Sequence, residues 1–258
     1  MKEILETLKE TALLAGDFIR KLYEHPHQIN HKGEIDLVTE ADLGAEEIIV
    51  QNLKQNFPNV AILAEEKVKE APGETYFLVD PLDGTTNFAH GFPWFAVSLA
   101  FVQKGRPEIG VIYHPMLDEL FWARRGQGAF LGQRRISVSS TARLSESLLA
   151  TGFPYDVHQR PEPVLAAFSA FIVRAQGIRR AGAAALDLAY VACGRFDGFW
   201  EIKLKPWDTA AGVLLVEEAG GRVTDFRGGA YSPFAQTIVA TNGRIHEQMV
   251  AITSNFLP

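Results

Sequence analysis

The sequence is poor in cysteine, in basic clusters and in long apolar runs. Cys193 is the sole cysteine among 258 residues, so no disulfide can close within the chain and no thiolate zinc cluster can form. Lys and Arg total 25 against 31 Asp and Glu, a formal net charge of −6, and no dense basic block gathers them. A phosphate-backbone binder needs a basic surface, so direct nucleic-acid binding is not expected. The longest apolar stretch, near Phe95–Val102, is interrupted by Ser98 and is too short to span a bilayer, so no membrane partner is expected. Glu3, Glu6 and Glu10 replace the basic start of a secretory signal, and the expected location is cytoplasmic. Repeats, low-complexity tracts and Pro/Ser-rich linkers are absent as well.

Apolar material is plentiful: 47% of residues are hydrophobic, with 17 Phe and four Trp, enough for one large core. Ile4, Leu5, Leu8, Ala12, Ala15, Phe18, Ile19 and Leu22 share one helical face. A second helix is expected from Thr39, with Ala45, Ile48, Ile49 and Leu53 inward and Pro58 as its stop. "VAILA" and "TYFLVD" read as buried strands, and Phe95 to Ser139 as an antiparallel meander with turns at Lys104-Gly105 and Leu117-Asp118. Beyond Thr141 helices and strands alternate: "SLLATGF", "FDGFWEI" and "TIVAT" as strands, "PEPVLAAFSAFIVRAQ", "AAALDLAYVAC", "DTAAGVLLVEEA" and the tail from Arg244 as helices. The pattern predicts a layered α+β fold, one domain over 1–258 divisible into sub-domains 1–143 and 144–258.

The chemistry concentrates in "VDPLDGTTNF", Val79 to Phe88. Asp80 and Asp83 lie three residues apart and repel each other unless a cation sits between them. Pro81 is expected to end sheet pairing after Asp80 and turn the chain. Gly84 permits close backbone approach, and Thr85 and Thr86 bring hydroxyls and N–H groups to the start of a helical turn, a cradle for an anion. Hard divalent cations such as Mg²⁺ bind through one or two carboxylates plus phosphate oxygens. An ordinary Pro-Asp-Gly turn has no use for two Thr after the Gly. A covalent aspartyl-phosphate of the D-x-D-G-T kind is excluded because Pro81 occupies the nucleophile position, so direct attack by water is expected. Glu65 in "AILAEE", Asp208 in "PWDTAAG" and Asp42 in "TEAD" suit the same site. Taken singly, each has a plainer use: a solvated charged loop, an N-cap and a capping box.

Other residues carry less. His25, His27 and His31 fall in a loop without ligand spacing, and "GQGAFLG" lacks the dinucleotide spacing. Cys193, Trp94, Trp122 and Trp200 read as packing residues.

"DLVTEAD" (Asp36–Asp42), "AEE" (Ala64–Glu66), "DPLDGTTNF" (Asp80–Phe88), "WDTAAG" (Trp207–Gly212) and the stretch "GIRRAGAAALDLAYVACGRFDGFWE" together resemble the inositol monophosphatase family, within the fold group that includes fructose-1,6-bisphosphatase. The resemblance implies an α-β-α-β-α sandwich and Mg²⁺-dependent hydrolysis of a phosphate monoester, inositol-1-phosphate first. By it, Glu65, Asp80 and the Leu82 carbonyl hold one Mg²⁺, and Asp80, Asp83 and Asp208 hold a second. A third ion binds near Glu65. Thr85, partnered by Asp42, handles the attacking water. Asp83, Gly84, Thr85 and Thr86 meet the phosphate end of the substrate, and Ala184 and Glu201 the alcohol. It further implies a cytoplasmic, lithium-sensitive homodimer acting on a small phosphorylated polyol. Fructose-1,6-bisphosphatase or dual activity is the alternative, and an added binding role in transcription or ribosome assembly is a second. Ala64 and Ala183 depart from residues common in relatives, and the loop around His31-Lys32-Gly33 is shorter than in animal relatives.

Overall fold

The computed structural model describes residues 1–23, 29–31, 37–70 and 73–256. In chain order the first half forms α1 (Lys2–Tyr23), β1 (Ile29–His31), β2 (Leu37–Thr39), α2 (Glu40–Asn56), β3 (Ala61–Ala64), β4 (Thr75–Asp83) and α3 (Thr85–Ala89). The meander follows as β5 (Ala96–Gln103), β6 (Arg106–His114), β7 (Glu119–Arg124), β8 (Gly128–Leu131) and β9 (Arg134–Ile136). Then come β10 (Leu148–Thr151), α4 (Glu162–Ile172), β11 (Gly177–Arg179), α5 (Ala184–Ala192) and β12 (Gly198–Ile202). The chain closes with α6 (Pro206–Glu218), β13 (Arg222–Thr224), β14 (Thr237–Thr241) and α7 (His246–Thr253).

Strand alternation decides what packs where. On β4, Phe77 and Val79 face one way and join Leu5, Leu8, Ile19, Ile49 and Leu53 of α1 and α2. Tyr76 and Leu78 face the other way and join α5 and α6. The same two helices meet Ala150, Phe199, Ile238 and Ala240 of the second sheet on their far side. That sheet's opposite face, with Leu149, Trp200 and Val239, packs on Val164 and Phe171 of α4 and Met249 of α7. The result is the expected α-β-α-β-α order. The central helices are apolar almost all round because sheets cover both their sides; all nine residues of α5 are buried.

The first sheet has the order β3-β4-β5-β6-β7-β8-β9, and the second β11-β10-β12-β14-β13. Both are mixed: β3 runs parallel to β4, and β10 runs parallel to β11 and β12, while the remaining pairs are antiparallel. Strands β1, β2, β9, β11 and β13, three residues each, are too short to show a period in the sequence. The α4 run stops at Ile172, before the Val173–Gln176 end of its apolar stretch, because the chain turns there into β11. Pro81 does not end sheet pairing. The ladder to β5 runs through Asp80↔Ser98, shifts register, and resumes at Asp83↔Ala96. A bulge leaves residues out of the ladder, and there a proline's missing N–H costs nothing. His25, His27, Lys32, Gly33 and Asp36 lie outside the described residues, as does the side chain of His31. Trp200 is buried, Trp94 and Cys193 pack against the central core, and Trp122 stacks on Phe130 with centroids 4.2 Å apart.

Gly110 sets how closely β6 approaches α6. A Cβ there would lie 2.8 Å from both Cα and O of Ala211. Gly110→Ala should therefore destabilise the protein by about 1–3 kcal/mol through overpacking. A urea midpoint equal to that of wild type would contradict this.

Candidate active site

Parallel pairing of β3 with β4 builds the first half of the site. Ala64 registers with Val79, so the next residues, Glu65 and Asp80, leave the two strands side by side. The Glu65 N–H donates to the Val79 carbonyl at 3.0 Å. Asp80 is 1% exposed, and its Oδ1 accepts from the Leu82 N–H at 3.0 Å across the bulge. Gly84 then turns the chain with φ +95°, a conformation that favours glycine. A Cβ there would stand 2.9 Å from the Trp94 carbonyl oxygen. Thr85 and Thr86 open α3 immediately after it.

Asp42 serves two purposes at once. Its Oδ2 accepts from the Thr39 N–H at 2.7 Å and the Thr39 hydroxyl at 2.6 Å, completing the capping box of α2. Its Oδ1 accepts from the Thr85 hydroxyl at 2.7 Å; the Leu82 carbonyl is a second acceptor for that hydroxyl at 3.0 Å. The cap therefore anchors the carboxyl and aims its free edge at Thr85.

Asp208 enters from the other half of the chain as the third residue of α6. One of its oxygens caps the helix by accepting from the Lys205 N–H at 2.7 Å. Glu65, Asp80 and Asp208 each bring an oxygen within 4.8 Å of the others, forming a group of metal-ligand size among the described residues. Asp83 lines the same cavity, with Oδ2 accepting from the Ala185 N–H at 2.7 Å. Gly84, Thr86, Leu82, Ala184 and Glu201 line it too. All the residues expected at the site thus surround one cavity of ≈ 500 Å³, with Asp42 behind Thr85.

Such crowding of acids is unfavourable without cations. Burial, reinforced by Glu65, Asp83 and Asp208, holds Asp80 well above the usual carboxylate range. Burial pushes Asp83 up to about 7, opposed by the Ala185 N–H and helped by Glu65. Burial and then the charge of Asp83 push Asp208 up to about 7. Glu201 is raised well above its ordinary value by burial, then Asp208 and Asp83, and Asp42 is raised by burial against its Thr39 and Thr85 hydrogen bonds. Seven carboxylate residues line the cavity against Arg180, Lys203 and Lys205, too large an acid excess for a phosphate to enter alone. An all-oxygen, acidic donor set fits a hard divalent ion such as Mg²⁺.

Among the cavity residues not expected at the site from the sequence, four shape it or add charge to it: Asp187, Gly152, Trp207 and Arg180. Asp187 was hidden inside an apolar helix run. Gly152 looked like a strand end. A Cβ on it would lie 2.2 Å from Glu201 Oε2, so its bareness makes room for that carboxyl. Trp207 stood beside Asp208 without a role; the Lys69 ammonium lies 4.3 Å from its ring centroid. Arg180 was one of several scattered cations. No local spacing marks any of the four.

Comparison with known proteins identifies the family. The sequence model described as "Inositol monophosphatase family" matches residues 1–256. The Nus factor SuhB of Escherichia coli strain K12 is 44% identical over 255 residues, covering 97% of this chain and 96% of that protein. The inositol-1-monophosphatase of Synechocystis is 44% identical over 248 residues, 95% of this chain and 86% of the relative. The crystal structure of the extragenic suppressor protein suhB from Bartonella henselae superimposes with a TM-score of 0.94 at 42% identity, covering 99% of this chain and 100% of that one. The family supports phosphatase activity and is in general Mg²⁺-dependent, in keeping with the acidic group found here. From its length-wide match and its layered fold, this chain belongs to the inositol monophosphatase family.

Proposed function

We propose that the protein hydrolyses phosphate monoesters of polyols in an Mg²⁺-dependent reaction, with inositol-1-phosphate as the leading substrate. One observation carries the reading: three carboxylates distant in sequence, Glu65, Asp80 and Asp208, converge within 4.8 Å beside a Thr85 hydroxyl bonded to Asp42. Glu65, Asp80 and the Leu82 carbonyl would hold one ion, and Asp80, Asp83 and Asp208 another, with a third near Glu65. Ions bound there supply the positive charge that offsets the acids, makes solvent more acidic and stabilises the attacking and leaving oxygens. Gly84, Thr85 and Thr86 at the start of α3 receive the phosphate. Thr85 orients the attacking water, and Asp42 takes its proton through the Thr85 hydroxyl. The water oxygen bonds to phosphorus as the bond to the alcohol oxygen breaks, and that oxygen is protonated from solvent. Glu201 and Ala184 meet the alcohol.

Phosphate release from inositol-1-phosphate, fructose-1,6-bisphosphate and 3′-phosphoadenosine-5′-phosphate, with Mg²⁺ titrated, tests the reading. Release from none of them at any Mg²⁺ concentration would overturn it. Fructose-1,6-bisphosphate above inositol-1-phosphate would select the bisphosphatase alternative. Thr85→Val should lower kcat by about 10²-fold, the lower end of general acid–base contributions, with KM within about threefold. Thr85→Ser should recover most of the loss. Equal kcat in wild type and Thr85→Val would remove Thr85 from the mechanism.

The reading includes a cytoplasmic homodimer inhibited by lithium, the dimer checked by sedimentation velocity. Relatives at 44% identity named Nus factor favour a second, non-catalytic role in transcription beside the enzyme. Capture of the same partners by wild type and by Asp80→Asn from native extract would separate that role from turnover. No described helix is long and apolar enough to cross a membrane.

A further inference from the structure

Asp187 is an ionisable side chain in a place that disfavours charge. All nine residues of α5, AALDLAYVA, are buried, and Asp187 is the one ionisable acid among them. It is 1% exposed, and its Oδ1 is enclosed without a hydrogen-bond partner among the described residues. A buried polar atom in that state calls for a reason. Capping is not the reason. Asp187 sits at the fourth position of α5, where its own N–H already donates to the Ala183 carbonyl at 3.0 Å. The nearby Ala185 N–H is taken by Asp83. Core packing is not the reason either, since an apolar residue would fill the position without an orphaned oxygen.

The residue lines the same cavity as the acidic group, on a wall shared with Gly152, Ala183, Ala184 and Glu201. Glu201 is 7% exposed, and Gly152 leaves space for its carboxyl. The wall thus offers two carboxyl groups set among small residues. Asp187 is not among the residues that form the metal-ligand group. Carboxyl oxygens accept hydrogen bonds from hydroxyls, and a rigid ring bearing several hydroxyls satisfies two acceptors at once.

We propose that Asp187 is a specificity-determining residue which, together with Glu201, accepts hydrogen bonds from hydroxyls on the alcohol half of a phosphorylated polyol. The proposal rests on the monoesterase reading above, and its test separates the two. Initial rates are measured for wild type, Asp187→Leu and Asp187→Asn on inositol-1-phosphate and on 4-nitrophenyl phosphate, whose alcohol has no further hydroxyl. Asp187→Leu should raise KM for inositol-1-phosphate about 10-fold, the loss of one hydrogen bond, with kcat within about twofold. Its KM for 4-nitrophenyl phosphate should stay at the wild-type value. Asp187→Asn, which keeps an acceptor oxygen, should raise KM less than Asp187→Leu. Equal losses on both substrates, or no change on either, would overturn the assignment of Asp187 while leaving the monoesterase reading intact. Wild type releasing phosphate from neither substrate would overturn both.

Discussion

Asp80→Asn should lower phosphate release by about 10³-fold or more and at the same time stabilise the metal-free protein. Both effects come from its central position. Asp80 is 1% exposed and feels Glu65, Asp83 and Asp208 together, and in the proposed arrangement its carboxylate is the one ligand shared by both ions. Asn keeps the shape and an oxygen to accept from Leu82, whose N–H lies 3.0 Å from Oδ1, so the bulge survives. It removes an acid that burial and three neighbouring carboxyls disfavour when no cation is present. A thermal midpoint in chelator above that of wild type, with circular dichroism unchanged, would accompany the lost turnover. Asp208→Asn should lose turnover in the same way. Near-normal turnover in either variant would remove the acidic group from the chemistry.

Metal removal should destabilise the protein more at high pH than at low. Asp83 and Asp208 titrate near 7 in the folded chain, against an ordinary value of 3.8. The folded state then binds more protons than the unfolded state between these limits, so stability falls as pH rises from about 4 toward 7. Mg²⁺ displaces those protons, so its affinity should climb with pH and level off above about 7. Scanning calorimetry should show Mg²⁺ at 100 times its Kd raising Tm by about 5–10 °C. The same Mg²⁺ concentration at pH 5.5 should produce a much smaller rise. A Tm increment independent of pH would show that the acids bind no ion in the folded protein.

The two uses of Asp42 show how far local reading reaches. "TEAD" has the form of a capping box, and a cap is found, because Thr39 and Asp42 are three residues apart and need nothing from the rest of the chain. The second oxygen points at Thr85, 43 positions away, and no periodicity foretells that contact. Pro81 shows the opposite failure. A rule about proline in strands predicted a break, yet Asp83 re-enters the ladder, because sheet pairing tolerates unpaired residues at a bulge. Asp187 went unmarked because a lone acid within "AAALDLAYVAC" resembles a helix's exposed face; only its enclosure between two sheets makes it an anomaly.

By itself the sequence determined what depends on neighbours along the chain. The apolar run of β4, the apolar stripe of α1 and the cap at Thr39 are all of this kind, since dihedral preference and side-chain period act over a few residues. Only the tertiary structure decided that β3 would run parallel to β4 and set Glu65 beside Asp80. It also decided that α6 would deliver Asp208 to the same point and that Asp187 would be sealed against the cavity wall. The reason is physical: those carboxyls repel one another, nothing local draws them together, and the burial of apolar layers on both sides of α5 and α6 holds them in place.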